Sequence, residues 1–244
     1  MDKTWLIRLS ALLPLILPIH TQAATEWGYQ GEHGPDSWGK TFQTCGEGKN
    51  QSPIDIKQTI DAQLTPLHIN YQGSITELVN NGHTIQANVS GNNTLTLAGK
   101  AYQLKQFHFH TPSENYLQGK QFPLEAHFVH ASSQGELAVI GVMFATGERE
   151  SDNIKTLLSV LPPPNTKQAI NTAINPAQLL PRSREYYRFN GSLTTPPCSE
   201  GVRWFVLKEH LTSTRDEVEA LQQAMGNNAR PLQPLNARTI LSSP

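Results

Sequence analysis

Three histidines, His108, His110 and His127, have the residue type and the spacing to hold a metal ion. His108 and His110 are two residues apart, and residues two apart on a β-strand point to the same face of the sheet. If the following strand pairs antiparallel with the first, His127 lies beside them. Three neutral imidazoles suit Zn²⁺ and leave its fourth tetrahedral position open for water, as in catalytic rather than structural sites. The pattern therefore predicts a catalytic zinc site.

Two polar residues in the same segments are suited to orient these ligands. Gln106 precedes His108 by two residues, and Glu125 precedes His127 by two, so each shares the face of its histidine. A metal-bound imidazole donates its second ring N–H to an oriented acceptor, which fixes the tautomer and the ring orientation. We expect Gln106 and Glu125 to be these acceptors.

Other interpretations of the same residues stay open at this point. A His-x-His pair on a strand is more often a polar pair lining a cleft than a metal site, and Glu125 also suits a solvated strand position. His130 lies three residues after His127, faces the other way and is expected to be structural. No role is assigned to the histidines that lack a partner pattern, which are His33, His68 and His210.

The elements that must position these residues are mainly short β-prone segments, separated by turn residues such as Asn80-Asn81-Gly82. Many strands close together in sequence, with few helices, favour a mainly β, single-domain fold on a mostly antiparallel sheet rather than alternating βαβ units. The predicted strands are Leu67–Tyr71, Ile75–Leu78, His83–Val89, Thr94–Leu97, Ala101–His110, Phe122–Ala131, Leu137–Phe144, Tyr186–Phe189 and Val202–Leu207.

Two helices are predicted at the periphery of this sheet. The first follows capping residues at 150–153 and reaches Leu161, where Pro162-Pro163-Pro164 stops it. The second follows Thr214, whose spacing to Glu217 is that of a capping box, and it ends at Met225 before a glycine.

Residues 1–23 have the pattern of a secretory signal peptide: a basic start, a short apolar run and small residues before Ala23. The apolar run contains two prolines and is short for a bilayer span, so a retained membrane anchor is the weaker interpretation. We predict an exported protein whose catalytic domain is residues 24–244, in a bacterial periplasm. A formal net charge of −1 indicates neither nucleic acid nor an anionic membrane as a partner, and no protein partner is predicted.

The two cysteines, Cys45 and Cys198, are far apart in the sequence. In an oxidising compartment two cysteines have one pairing available to them, which favours a disulfide bond. Such a long loop closure is worth about 5 kcal/mol in the chain-entropy account. The alternative is a pair of buried free thiols.

Five segments, in order, resemble the α-class carbonic anhydrases over almost all of residues 24–244. They are Trp27-Gly28-Tyr29, Asn50-Gln51-Ser52-Pro53-Ile54-Asp55-Ile56, the two histidine segments with Pro112-Ser113-Glu114, Ser192–Cys198 followed by Trp204, and Gln233–Arg238. The predicted signal peptide and the cysteine pair resemble the exported bacterial members. The family implies a large twisted sheet with peripheral helices, a conical cleft, Zn²⁺ as cofactor, and carbon dioxide and bicarbonate as substrates.

The resemblance also implies a role for each matching position. The three histidines would bind zinc, and Thr194 would accept the proton of the zinc-bound hydroxide while donating its own proton to Glu114. His83 matches the proton shuttle, and Tyr29 and Asn81 match residues that support a chain of water molecules. An apolar wall that receives carbon dioxide is matched by Val129, Val139, Leu193, Val202 and Trp204.

These positions have plainer interpretations without the family, since Thr194 precedes a rigid Thr-Pro-Pro turn, Glu114 could cap a turn, and His83 could be an exposed loop residue. Three positions depart from the best-known members, namely Thr84 for alanine, Gln86 for asparagine, and Asn115 where histidine is common. The departures bear on the shuttle rate and its pH profile, not on the reaction class.

The predicted function is the reversible hydration of carbon dioxide, with weak esterase activity as a side reaction. A binding protein on the same fold is one alternative, but all three histidines, Thr194 and Glu114 are present. A zinc hydrolase is another, and the absence of a His-Glu-x-x-His motif argues against a zincin protease.

Overall fold

The computed structural model describes residues 26–244, so the predicted signal peptide lies outside the described residues. Helices α1 to α4 are Pro35–Thr41, Gln43–Glu47, Asp152–Leu158 and Arg215–Met225, and short 3-10 helices occur at Gly31–His33 and Pro176–Leu179. Strands β1 to β15 are Asp55–Ile56, Ile60–Asp61, His68–Tyr71, Ser74–Asn80, Ile85–Ser90, Asn93–Leu97, Lys100–His110, Tyr116–Leu117, Leu124–Ser132, Leu137–Thr146, Thr166–Ala169, Tyr186–Ser192, Glu200–Leu207, Leu211–Ser213 and Leu241–Ser242.

One sheet of 13 strands dominates the described residues, with β1 and β8 forming a separate small parallel pair. The main path runs β11-β4-β5-β7-β9-β10-β13-β12-β15-β2, with β6 and β3 beyond β7 and β14 beside β10. Most neighbours are antiparallel, which confirms the predicted fold class. The parallel pair β10–β13 lies near the middle of the sheet. It joins strands that are separated in sequence by α3, β11 and β12, so local patterns do not reveal it.

Every predicted strand occurs, with bounds that differ by a few residues at some ends. The clearest difference is at His83, which was expected to begin a strand that instead begins at Ile85. The side-chain oxygen of Asn81 accepts the backbone N–H groups of His83 and Thr84 at 3.0 and 2.9 Å and holds them in a turn. His83 is therefore a residue of the turn between β4 and β5.

Both predicted helices occur, and α4 has the expected capping box between Thr214 and Glu217. Helix α3 ends at Leu158 rather than Leu161, because the next residues form tighter turn bonds on the way to the three prolines. Helices α1 and α2 were not predicted, since elements of seven and five residues are too short to show a helical period. None of the helices in residues 26–244 has the length and hydropathy needed to cross a membrane.

The two faces of the central strands have opposite character. Phe107 and Phe109 of β7 and Phe128 of β9 are fully buried in the larger apolar cluster. The intervening His108, His110 and His127 therefore lie on the other face. A bulge in the β7–β9 pairing lies between Leu104 and Gln106. Because it adds one residue to the alternation, Leu104 joins the same apolar cluster as Phe107 while Gln106 stays on the histidine face.

The predicted disulfide joins Cys45 to Cys198. It connects helix α2 to the loop between β12 and β13, and it packs against the buried ring of Trp38. The buried guanidinium of Arg230 donates to the Cys45 carbonyl at 3.0 Å and lies over the Trp38 ring. The N-terminal helices are thereby attached to the segment that carries Thr194.

His130 is buried in the core, as its position after His127 predicted. Its Nε2 lies 2.6 Å from the Tyr71 hydroxyl, and its Nδ1 lies 3.2 Å from the Ala138 carbonyl oxygen. Burial disfavours the charged imidazolium and lowers the pKa of His130 to about 4, against a partial opposing effect of backbone hydrogen bonds.

This buried histidine predicts a loss of stability in acid. Because the folded-state pKa lies below the unfolded value of about 6.5, the unfolded chain binds the proton more readily. The His130 contribution is complete above about pH 6.5 and falls by about 1.4 kcal/mol for each pH unit down to about 4. Urea unfolding of the wild type and His130→Gln at pH 7 and pH 4.5 measures it. The variant should lose less stability between these pH values, and an equal loss in both proteins would contradict the assignment.

Candidate metal centre

The pairing of β7 with β9 brings the three histidines together. His108 lies directly opposite His127, and His110 lies opposite Glu125. One ring nitrogen from each of the three histidines lies within 4.8 Å of the others. His110 and His127 are buried, and His108 is half-buried, so the cluster opens to one side only.

The outer nitrogen of each ring faces an oxygen atom. His108 Nδ1 lies 2.9 Å from Gln106 Oε1, and His110 Nδ1 lies 2.9 Å from the Asn228 carbonyl oxygen. His127 Nε2 lies 2.9 Å from Glu125 Oε1, although the angle departs from that of a well-aligned hydrogen bond. The remaining nitrogens, Nε2 of His108 and His110 and Nδ1 of His127, are left for a shared ligand.

All three imidazoles are held in their neutral form. Burial lowers the pKa of His108 and His127 well below the ordinary value, and the neighbouring histidines lower it further. Burial also lowers the pKa of His110, against an opposing hydrogen bond to Asn228. Neutral imidazole is the form that binds a metal ion.

Glu125 is fixed in place by the segment after β7. Its Oε2 accepts the backbone N–H groups of Glu114 and Asn115 at 2.8 and 2.9 Å, and its Oε1 accepts the Asn115 side-chain amide at 2.9 Å. Gly141 faces His127 on β10, and a Cβ atom there would lie 3.0 Å from Glu125 Oε1. Asn115, one of the departures from the family, is thus a buried support of Glu125 rather than a residue on the shuttle path.

Glu114 is the second buried carboxyl group beside the cluster. Its Oε1 accepts the backbone N–H of Arg230 at 2.8 Å, while Oε2 has no hydrogen-bond partner among the described residues. That oxygen lies 3.5 Å from His110 Nε2 and 3.8 Å from His127 Nδ1. Burial raises the pKa of Glu114 to about 8, although the Arg230 N–H and the nearby Thr194 hydroxyl oppose the rise.

These contacts fit a metal ion at the centre of the cluster. His110 Nε2 and Glu114 Oε2 are both fully buried and unpartnered within residues 26–244, and such groups are rare unless a ligand or ion satisfies them. Three inward nitrogens with oriented outer nitrogens are the donor set that Zn²⁺ prefers. The residues present therefore fit zinc.

Thr194 and most of the predicted apolar wall surround a small cavity beside the cluster. The cavity has a volume of about 40 Å³ and is lined by His108, His127, Val129, Val139, Leu193, Thr194, Thr195 and Trp204. Val202 does not line it but is buried with Val139 and Trp204 in the same apolar cluster. The indole N–H of Trp204 donates to the Ser192 carbonyl at 3.0 Å, so its polar edge is already bonded.

A second, wider cavity leads from the cluster to His83. It has a volume of about 130 Å³ and is lined by Trp27, Tyr29, Asn81, His83, Thr84, Gln86, Gln106, His108, His110 and Thr195. The Thr84 hydroxyl donates to the Phe109 carbonyl at 2.6 Å, and the Gln86 amide donates to Asn88 at 2.8 Å. The side chains of these two family departures are therefore tied to the sheet.

Two residues that the sequence did not single out complete this region. Trp27 stacks on the His83 imidazole, with ring centroids 3.9 Å apart and an interplanar angle of 12°. Asn228 is fully buried, and its amide donates to the carbonyl oxygens of His83 and Phe109, each at 3.0 Å. Trp27 could have been found as an aromatic residue in a matching segment, whereas nothing local to Asn228 indicates its contacts.

Comparison with known proteins gives one consistent family. A family model described as "Eukaryotic-type carbonic anhydrase" matches residues 33–244. A carbonic anhydrase of Neisseria gonorrhoeae is 44% identical over 243 residues, covering 96% of each chain. One of Pectobacterium carotovorum is 42% identical over 239 residues, covering 96% of this chain and 98% of that protein. The solved α-carbonic anhydrase of Photobacterium profundum aligns with a TM-score of 0.87 and 66% identity, over 88% of this chain and all of that one.

The Trp27 stack predicts a change in the titration of His83. Burial lowers the pKa of His83, and the indole covers one face of its ring. We expect Trp27→Ala to raise that pKa toward the ordinary value of about 6.5. Trp27→Phe keeps a stacked ring and should keep the lowered pKa. NMR titration of the imidazole C–H resonances measures both. If the pKa of His83 instead falls in Trp27→Ala, the indole stabilises the imidazolium and the expectation is wrong.

Proposed function

Because the chain belongs to the eukaryotic-type, or α-class, carbonic anhydrases and hydrates carbon dioxide to bicarbonate, we propose that it does so on a zinc ion held by His108, His110 and His127. The observation that carries this proposal is the set of three inward imidazole nitrogens within 4.8 Å of one another. Zinc on three neutral imidazoles supplies a bound water of lowered pKa, so that a hydroxide nucleophile is available near neutral pH.

Gln106, Glu125 and Asn228 orient the three imidazoles. Each places an oxygen atom against the outer nitrogen of one ring, which favours the tautomer with the N–H on that nitrogen. The inward nitrogen then carries the lone pair. The carboxylate of Glu125 makes His127 a stronger electron donor than a neutral acceptor would. The Gln106 amide and the Asn228 carbonyl are neutral, which keeps the total charge around the site low.

Thr194 and Glu114 select the direction of attack. Glu114 has one oxygen bound to the Arg230 N–H and the other beside the histidines, where a bound cation would oppose the rise in pKa that burial causes and favour the carboxylate. In that form it accepts a hydrogen bond from the Thr194 hydroxyl. The Thr194 oxygen then has only lone pairs to offer and accepts a hydrogen bond from the nucleophile. This arrangement turns a nucleophile lone pair toward the apolar cavity that Thr194 also lines.

The cavity of Val129, Val139, Leu193 and Trp204 receives carbon dioxide. Its lining is apolar apart from Thr194, Thr195 and the histidines, so a non-polar molecule meets little competition from water. A volume of about 40 Å³ admits a molecule of a few atoms. Larger acyl substrates fit it poorly, and we expect esterase activity to be weak.

His83 carries the released proton to solvent. It shares the 130 Å³ cavity with two of the zinc ligands, and Tyr29, Asn81, Thr84 and Gln86 give that cavity a polar lining that suits a chain of water molecules. Because burial lowers its pKa below the ordinary value of about 6.5, His83 is mostly neutral at pH 7 and ready to accept a proton.

We further propose that residues 1–23 direct export and are removed, leaving residues 24–244 as the catalytic domain in an oxidising compartment, the bacterial periplasm. The Cys45–Cys198 disulfide supports export, because such bonds persist mainly outside the cytosol.

The zinc site predicts the result of removing one ligand. His108→Ala should lose bound zinc and lower the rate of carbon dioxide hydration by more than about a hundredfold, with an unchanged near-ultraviolet circular dichroism spectrum. Metal analysis and stopped-flow hydration measure the two losses. His68→Ala, an exposed histidine away from the cluster, should keep both properties. A wild type that holds one zinc per chain but hydrates carbon dioxide no faster than buffer would overturn the proposed function.

The shuttle predicts a defect that buffer repairs. His83→Ala should slow kcat about tenfold or more in weak buffer, and added imidazole should restore it, because the buffer then removes the proton. His68→Ala, which removes an exposed histidine outside this cavity, is the matched control and should leave kcat unchanged. An unchanged kcat for His83→Ala in weak buffer would remove the shuttle role.

A further inference from the structure

A separate cavity lies on the opposite face of the strands that form the active-site wall. On β13, Val202 and Trp204 belong to the apolar cluster beside the zinc site, whereas Phe205 belongs to the cluster on the other face. Arg203 alternates with Trp204 and shares the face of Phe205. The cavity has a volume of about 330 Å³, at the lower end of small-molecule binding sites.

Two arginines from adjacent strands line this cavity. Arg188 of β12 is paired with Phe205 of β13, so it is the diagonal neighbour of Arg203 on the same face. Both side chains are half-buried. Diagonal neighbours with long side chains are within reach of each other, so an anion bound between the two guanidinium groups would contact both.

Neither guanidinium has such a partner within residues 26–244. No carboxylate lies within 4.0 Å of either, and neither donates a side-chain hydrogen bond there, in contrast to Arg230, whose guanidinium makes three. Glu136 influences Arg203 from a distance, but its carboxylate already accepts from Tyr102 at 2.8 Å and from Lys100 at 2.6 Å. The guanidinium of Arg203 lies over the Tyr102 ring instead.

The rest of the lining is mixed, with Thr65, His68 and Thr96 as its further polar side chains besides Tyr186. Leu64, Pro66, Leu97 and Phe205 provide the apolar surface, and the hairpin turn between β6 and β7 forms one side. The polar Tyr186 hydroxyl is already bonded to the Thr65 carbonyl at 2.8 Å. A ligand here therefore meets two guanidinium groups that have no carboxylate partner within residues 26–244, with an apolar surface beside them.

We propose that this cavity binds a small organic anion. A carboxylate or phosphate group accepts from Arg188 and Arg203, since the planar guanidinium fork matches both. An aromatic or aliphatic body packs against Phe205 and Leu97. The site is independent of the zinc chemistry, because its residues line the other face of β12 and β13.

The test is an NMR titration of the zinc-loaded protein with phenyl phosphate and, separately, with benzoate. Backbone amides of residues 96–99 and of Arg203 report on the cavity, apart from any binding near the histidines. At least one of the two anions should shift these resonances to saturation, and the stronger of them identifies the head group as phosphate or carboxylate. Benzyl alcohol, which has a similar body but no charge, should not produce the same shifts.

Variants connect the shifts to the two arginines. Arg188→Gln/Arg203→Gln should weaken binding at least about tenfold, because hydrogen bonds to charged groups are lost. Arg188→Lys/Arg203→Lys, which keeps the charge without the fork, should weaken it less. Arg182→Gln, at an exposed position outside the cavity, should leave it unchanged, and all three variants should keep wild-type carbon dioxide hydration. Absent cavity shifts, equal shifts with benzyl alcohol, or equal affinity in the glutamine double variant would each overturn the proposal.

Discussion

The structure depends on keeping neutral imidazoles and two carboxyl groups buried together. Polar groups removed from water are costly unless other groups satisfy them. Here hydrogen bonds to Gln106 and Asn228, and the contact with the Glu125 carboxylate, occupy the outer side of the histidine cluster, while His110 Nε2 and Glu114 Oε2 on the inner side are unpartnered. That asymmetry concentrates unsatisfied lone pairs at one point. A cation placed there relieves it, so the cost of burial becomes affinity for metal.

The same strands support the site from behind. Phe107, Phe109 and Phe128 fill the other face of β7 and β9, and their packing fixes the backbone from which the histidines project. The bulge before Gln106 shifts the alternation by one residue, so that Tyr102 and Leu104 share the apolar face with Phe107 and Phe109. The backbone position of the ligands is thus a result of core packing, while loop residues such as Asn228 and Asn115 orient the rings from outside the strands.

Local sequence patterns predicted those features that depend only on strand and helix periodicity. The His-x-His spacing, the Gln106 and Glu125 offsets and the Thr214–Glu217 capping box follow from strand and helix periods, and the family resemblance added Thr194, Glu114 and His83. Asn228 could not be predicted, since a backbone carbonyl 118 residues from His110 has no signature in the chain. The parallel β10–β13 pair was not predicted because it depends on tertiary packing. Helices α1 and α2 were not predicted because they are too short to show a helical period in the sequence.

Asn228 also links the turn of His83 to the histidine cluster. Its backbone carbonyl faces His110, its side-chain oxygen accepts the Thr111 N–H, and its amide donates to the carbonyls of His83 and Phe109. One buried residue thereby holds the turn that carries His83, the proposed shuttle, against the strand that carries His110. Since proton transfer through water depends on the distance that the water chain must span, this connection and the stacking of His83 on Trp27 together fix that distance in the proposed mechanism.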